Sequence, residues 1–258
     1  MKITTHTIRS LKKERPIVAV TAYDYMTARL ASEAGVDLIL VGDSLGTTIL
    51  GFSTTVPVTL EMMLHHTAAV ARSRPQSLVV TDIPFPEAHR DKGLLLDGAA
   101  RCLQEGGAEA VKIEGGQIVA EKVRSLVAAG IPVLGHVGLL PQRVHETGGY
   151  RKYGKSAAER TSLLEDARAI EDAGAFALVA EMVEASVAGE MRDVLKIPVI
   201  GIGSGLECDG QILVSNDLLG LTPGKVPGFV KQYARLDEAV REAFSCFGEE
   251  VRKGLFPR

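Results

Sequence analysis

Four apolar runs in this chain end on a carboxylate: LILVGD at Asp43, LVVTD at Asp82, AVKIE at Glu114 and ALVAE at Glu181. Short runs rich in Val, Ile and Leu, without polar alternation, predict parallel strands covered on both faces. Where strands and helices alternate, the carboxyl ends of the strands share one rim, so the four acids can meet at one site. Asp43, Asp82 and Glu114 close the second, third and fourth runs in order, which places them on neighbouring strand tips. Oxygen ligands of this kind suit Mg²⁺, which takes one or two carboxylates, keeps several waters and leaves positions for substrate oxygens. The competing reading of any one acid is a helix N-cap, notably at Asp43, where Ser44 and Gly46 follow.

Lys112 stands two residues before Glu114 and therefore points to the same side of its strand. An inward lysine needs a partner, so it either pairs with one of the acids or meets an anionic substrate. Glu181 ends the sixth run among Leu178, Val179, Ala180 and Met182. Apolar neighbours disfavour its charged form and raise its pKa toward the range of a general base; the alternative is a rim residue facing water. His136, in VLGHVGLLP, is either a site residue or an orienting core histidine. GIGSG (201–205) follows the seventh run, where barrels often grip phosphate, although glycines there also serve tight turns. His65 and His66 lack a metal-spaced partner and read as packing or solvated residues. GGYRKYG (148–154) is a candidate lid or a mobile loop.

These residues need a scaffold of alternating elements. Strands are expected at 17–22, 37–42, 77–82, 109–114, 131–136, 175–181 and 197–203, with a weaker eighth at 212–217, where Leu213 and Val214 could close a barrel. Helical spacing covers 26–34, 60–73, 93–105, 118–129, 157–173 and 187–195. Several of these helices close on Gly, as in AAGIPV and DAGAFA. A last helix over 235–253 carries Leu236, Val240, Phe244, Phe247 and Val251 on one stripe, suited to capping the domain or packing on a second subunit. The βα order restricts the architecture to a closed barrel or an open doubly wound sheet, and the lack of GxGxxG after the first strand favours the barrel.

The chain has 258 residues, 46% apolar and 24% charged, with 29 Lys plus Arg against 32 Asp plus Glu. That length fits one barrel of about 250 residues, and a net charge of −3 gives no reason to expect nucleic acid or an anionic membrane as partner. Cys102, Cys208 and Cys246 are few and widely spaced, as in a reducing compartment. With no apolar signal segment and no run approaching about 18 apolar residues, the expectation is a soluble cytoplasmic protein.

Taken together, TAYDYMTARLASEAGVDLILVGDSLG, TTVPVTLEMMLHH, VVTDIPF, EAVKIEGG, PVLGHVGLLPQ, GGY, PVIGIGSG, DGQILV and DLLGL resemble, in order and over nearly the whole chain, the ketopantoate (3-methyl-2-oxobutanoate) hydroxymethyltransferase family. The resemblance implies an α/β fold, a single (βα)8 TIM barrel domain over residues 1–258 with a C-terminal helix, and Mg²⁺ dependence. It implies transfer of a hydroxymethyl group from the co-substrate 5,10-methylenetetrahydrofolate to 2-oxoisovalerate, giving ketopantoate by way of a Mg-stabilised enolate, the first committed step of pantothenate and coenzyme A synthesis. Carried over by motif, Asp43 and Asp82 bind metal with Glu114 beside them, Ser44 and Lys112 hold the oxoacid, Glu181 accepts the proton, and His136 is a site position of open role. A homo-oligomer, a decamer, is implied by the resemblance as well. Ser204 and Asn216 depart from the family pattern and put folate contacts from their region in doubt. Two alternatives remain at this stage: a Mg-dependent oxoacid lyase or mutase barrel of the phosphoenolpyruvate mutase and isocitrate lyase kind, although no KKCGH-like string is present, and a non-catalytic metabolite-binding barrel.

Overall fold

The computed structural model describes residues 2–149 and 151–257, so Tyr150 of the expected lid segment lies outside the described residues. The chain divides into two compact units, the first ending at Ile212 and the second beginning at Leu213. Eight strands, β1 (Ile17–Thr21), β2 (Leu38–Val41), β3 (Leu78–Asp82), β4 (Ala110–Glu114), β5 (Val133–Gly138), β6 (Ala177–Glu181), β7 (Val199–Ile202) and β8 (Gly210–Leu213), close into a barrel in sequence order. Each consecutive pair from β1 to β8 is parallel. The alternation seen in the sequence is therefore a closed barrel.

The period-2 pleat sorts each strand between two layers. Leu38, Leu40, Leu78, Val80, Ala110, Leu134, Ala177, Val179 and Ile200 share the barrel interior with Ile8 and Leu11 of the N-terminal segment. Their strand neighbours Val111, Ile113, Val133, Val137, Leu178 and Ala180 pack outward with the surrounding helices. Ile8 is fully buried on the short helix Thr5–Ser10, whose start is held by a reciprocal Thr4 and Thr7 capping box. Burying that one side chain is worth about 1.5–3 kcal/mol, which is enough to anchor a helix of six residues.

The outer helices start on side chains that satisfy their free N–H groups. Asp24, Thr59, Asp91 and Ser156 each accept from a backbone N–H two or three residues on, opening the helices Tyr25–Glu33, Leu60–Arg72, Lys92–Gln104 and Ala157–Asp172. Gln117–Ala128 and Ala185–Val194 complete the barrel layer. No helix among the described residues is long and apolar enough to cross a membrane, and all three cysteines are free thiols.

The eighth strand lies earlier than expected. It runs over Gly210–Leu213, and Ser215–Leu218 forms a helical turn instead. Barrel closure needs close backbone approach, and Gly210 supplies it: a Cβ there would sit 2.4 Å from the Ile17 carbonyl oxygen. Ser215, Asn216 and Asp217 bond locally and favour a turn. In the second unit the helix Leu236–Arg252 carries the expected stripe, with Phe244 72% exposed.

Gly210→Ala should therefore lower stability by about 1–3 kcal/mol, and the melting temperature by about 2–4 °C per kcal/mol. Gly228, whose added Cβ meets nothing within 4 Å, supplies the control substitution to Ala; equal melting of both variants by circular dichroism would contradict this account of closure.

Candidate active site

The inward register that fills the barrel with Leu78 and Val80, Ala110, Leu134, and Ala177 and Val179 continues upward by steps of two. It delivers Asp82, then Lys112 and Glu114, then His136, then Glu181 to the top of the interior. Cross-strand pairing sets Asp82 beside Lys112 and Glu114 beside His136. Asp43 follows β2 just past its end. Gly138 permits the β5–β6 contact under Glu181, because a Cβ on it would lie 2.2 Å from the Glu181 carbonyl oxygen.

Lys112 is the hub. Its Nζ lies 2.7 Å from Asp82 Oδ1 and 3.5 Å from Glu114 Oε1, with all three side chains at most 5% exposed. Burial alone would discharge the ammonium, and Asp82, Glu114 and Asp43 reverse that and keep it protonated. Lys112 also bonds to Nδ1 of His136 at 3.2 Å. Burial, and then Lys112, push the imidazole well below its ordinary pKa, so the ring is neutral. A neutral ring that accepts at Nδ1 carries its proton on Nε2, and that nitrogen faces Glu181 Oε2 at 3.3 Å.

The carboxylates outnumber their counter-charge. Asp43 is held well above the usual carboxylate range by burial and then by the charges of Asp82 and Glu114. Burial likewise lifts Glu114 to about 7 and Glu181 to about 7, each opposed by Lys112. Three buried acids and the partly buried Glu181 face one ammonium, which lies on Asp82 Oδ1, and a neutral imidazole, so the cluster is short of positive charge. These features fit a hard divalent cation. Asp43 and Asp82 are tied together by the Asp43 N–H, which donates to Asp82 Oδ2 at 3.1 Å. Glu114 instead accepts from the Gln142 N–H at 3.1 Å. Among the described residues no group of three or more His, Cys, Asp or Glu is arranged to hold a metal ion; Asp43 and Asp82 are joined, and Glu114 is turned to Gln142.

Gln142 was not among the expected site residues. Its side-chain amide donates to Asp43 Oδ2 at 2.9 Å and to the Ile83 carbonyl at 3.0 Å, while its backbone holds Glu114. The turn Pro141–Arg143 after β5 positions it. Its one sequence signal was a place just past a strand tip. Tyr23 is a second addition, its hydroxyl 2.8 Å from Ser44 Oγ, which fixes Ser44 beside Asp43.

Other candidates make contacts within the fold. Ser204 of GIGSG is fully buried, donates to the Ala180 carbonyl and accepts from the Val183 N–H, tying β7 to the end of β6. His66 bonds to the Tyr23 carbonyl through Nδ1 at 2.6 Å, a packing role as expected. In GGYRKYG, the Arg151 guanidinium stacks 3.9 Å over Tyr153, and Tyr153 bridges to Val183.

Solved structures with this architecture include a phosphonopyruvate hydrolase (TM-score 0.65, 14% identity, 99% of this chain and 89% of that one). A 2,3-dimethylmalate lyase gives TM-score 0.62 at 17% identity over 100% of this chain and 91% of the other. At such identity the likeness is one of fold. The 3-methyl-2-oxobutanoate hydroxymethyltransferase of Thermus thermophilus is 50% identical over 100% of this chain and 98% of its own length. That of Pyrobaculum islandicum is 53% identical over 95% of this chain and 94% of its own. The family model for ketopantoate hydroxymethyltransferase matches residues 2–258, and the chain belongs to that family of hydroxymethyl transferases.

Proposed function

We propose that the rim cluster converts 2-oxoisovalerate to ketopantoate with 5,10-methylenetetrahydrofolate as one-carbon donor, in the first committed step of pantothenate synthesis. The observation that carries this reading is Glu181, a partly buried carboxylate with its pKa raised to about 7, set across the barrel from an acid pair suited to a cation. Asp43 and Asp82, with Glu114 beside them, would hold Mg²⁺. Bound there, the ion would draw negative charge from the keto and carboxylate oxygens of the oxoacid and make its C3 proton more acidic.

The chain's own groups account for the remaining work. Lys112, kept charged by its acid neighbours, pairs with the substrate carboxylate, and Ser44, oriented by Tyr23, donates to it. Glu181 takes the C3 proton, leaving the bonding electrons in the enolate. His136 Nε2 faces the Glu181 carboxylate at 3.3 Å without hydrogen bonding to it. The enolate carbon forms a bond to the folate-borne methylene, opened to its iminium; the methylene–N5 bond then breaks, water giving its oxygen to the product hydroxyl and a proton to N5 of the departing tetrahydrofolate. Buried apolar neighbours keep the base basic at neutral pH. A phosphonopyruvate hydrolase of the same fold has been solved with oxalate and Mg²⁺, which supports an oxoacid-like ligand and this metal on such a rim. We further propose a homo-oligomer, a decamer by family likeness, contacting through the apolar stripe of Leu236–Arg252 in a cytoplasmic setting.

Ketopantoate formation with and without the folate tests the whole reading. Deuterium wash-in at C3 of the oxoacid, followed by proton NMR without folate, isolates the base. Its rate should rise with pH about an apparent pKa near 7 and fall about 10²–10⁴-fold in Glu181→Gln while oxoacid binding persists; undiminished exchange would move the base elsewhere. The same variant carries a stability signature. Because burial holds the native pKa of Glu181 above the ordinary carboxylate value of 4.5, its contribution is full below pH 4.5 and lost as pH rises through 7. Without metal, Glu181→Gln should therefore be more stable than the parent at pH 8, by on the order of 2 kcal/mol, and nearly equal to it at pH 4.5.

Asp43→Asn should abolish Mg²⁺-dependent turnover and weaken Mg²⁺ binding in titration calorimetry while the apo-protein melts no lower, since a carboxylate repelled by Asp82 and Glu114 is removed. Light scattering should report an oligomer that Phe244→Asp dissociates; a parent that stays monomeric at micromolar concentration would reject the assembly.

A further inference from the structure

The acid cluster does not fill the top of the barrel. Against Glu114 and Gln142 opens a cavity of about 460 Å³ walled by Val56, Phe85, Ile118 and Leu140, a size that accommodates a drug-sized organic ligand. Its apolar side chains are left partly uncovered by the fold. Ile118, in the first turn of Gln117–Ala128, is 71% exposed, and Phe85 stands edge-on to His89 with ring centroids 5.1 Å apart. One exposed isoleucine is ordinary; four apolar residues around a cavity that reaches the Glu114 carboxylate make a surface for a flat, largely apolar ligand.

A second cavity, also about 460 Å³, adjoins the first and shares Leu140, Arg143 and Glu146 with it. Its lining mixes apolar Val137, Leu140 and Leu163 with Asp166 and two ion pairs, Arg143–Glu146 and Arg151–Glu159. Arg143 stands on the shared wall and is paired with Glu146 at 2.6 Å, with side chains 40% and 63% exposed. An exposed pair of this kind contributes little, so a ligand carboxylate can take the place of Glu146 at small cost.

We propose that the apolar cavity receives the pteridine and aminobenzoyl portion of the folate, with its methylene end at Glu114 and Gln142, and that the glutamyl tail runs past Arg143 into the second cavity. The assignment rests on the transferase reading above and adds the place of the second substrate. It divides the rim into an oxoacid side, at Asp43, Asp82 and Lys112, and a folate side that begins where Gln142 bridges the two.

Ile118→Asp puts a charge on the apolar wall at an exposed position that the core does not need. Fluorescence titration with tetrahydrofolate on oxoacid-loaded enzyme, paired with folate-free C3 exchange on the same samples, reads the two substrates separately. Tetrahydrofolate should bind about tenfold more weakly or worse, while exchange stays at the parent rate. Arg143→Met should weaken tetrahydrofolate but leave tetrahydropteroate, which lacks the glutamate, unchanged. Undiminished tetrahydrofolate binding in Ile118→Asp, with exchange intact, overturns the cavity assignment and leaves the transferase reading standing. Equal losses for both pterins in Arg143→Met overturn the tail path. A parent that neither exchanges C3 nor binds tetrahydrofolate removes the transferase reading itself, and this inference with it.

Discussion

The attraction between one buried ammonium and the carboxylates around it organises the top of the barrel. Lys112 touches Asp82, Glu114 and His136 within 3.5 Å, so it fixes the spacing of β3, β4 and β5 at the rim. It also opposes the protonation of Glu114 and Glu181 that burial favours. Removing the lysine from such a group leaves its buried carboxylates uncompensated, a loss of about 3–5 kcal/mol. Site geometry and local stability are thus one problem, settled by the same lysine.

That lysine does not neutralise the cluster. The surplus of carboxylates keeps Asp43, Glu114 and Glu181 prone to protonation, a poor arrangement for a resting protein and a useful one for binding a cation and moving a proton. Glu181 meets the cluster through His136 and is the most open of the acids at 17% exposure. His136 is neutral, bonded to Lys112 through Nδ1, with Nε2 turned toward Glu181.

Much of this was legible because strand periodicity and site chemistry coincide. Asp82, Lys112, Glu114 and Glu181 sit at strand ends with parity that follows from counting back to Leu78, Ala110 and Ala177, so the apolar runs located them within the rim. Gln142 escaped notice because an uncharged amide in a loop turn has no period to betray it, and its two partners, Asp43 and Ile83, are 99 and 59 residues away. The eighth strand was misplaced for a related reason. Its position depends on how near Gly210 comes to Ile17, and apolar Leu213 and Val214 drew the expected strand toward the C-terminus.

The two-layer sorting of β4 has a consequence for how this chain can change length over evolutionary time. Val111 and Ile113 face the helices while Ala110, Lys112 and Glu114 face inward. One residue inserted or deleted inside this strand would exchange the two sets, sending the ammonium and its carboxylate into the greasy outer layer and an isoleucine into the reaction space. No later mutation at a single site could repair that exchange. Indels are therefore tolerable in the connections above and below the strands and forbidden within them, and the barrel's reading frame is as tightly constrained as its chemistry.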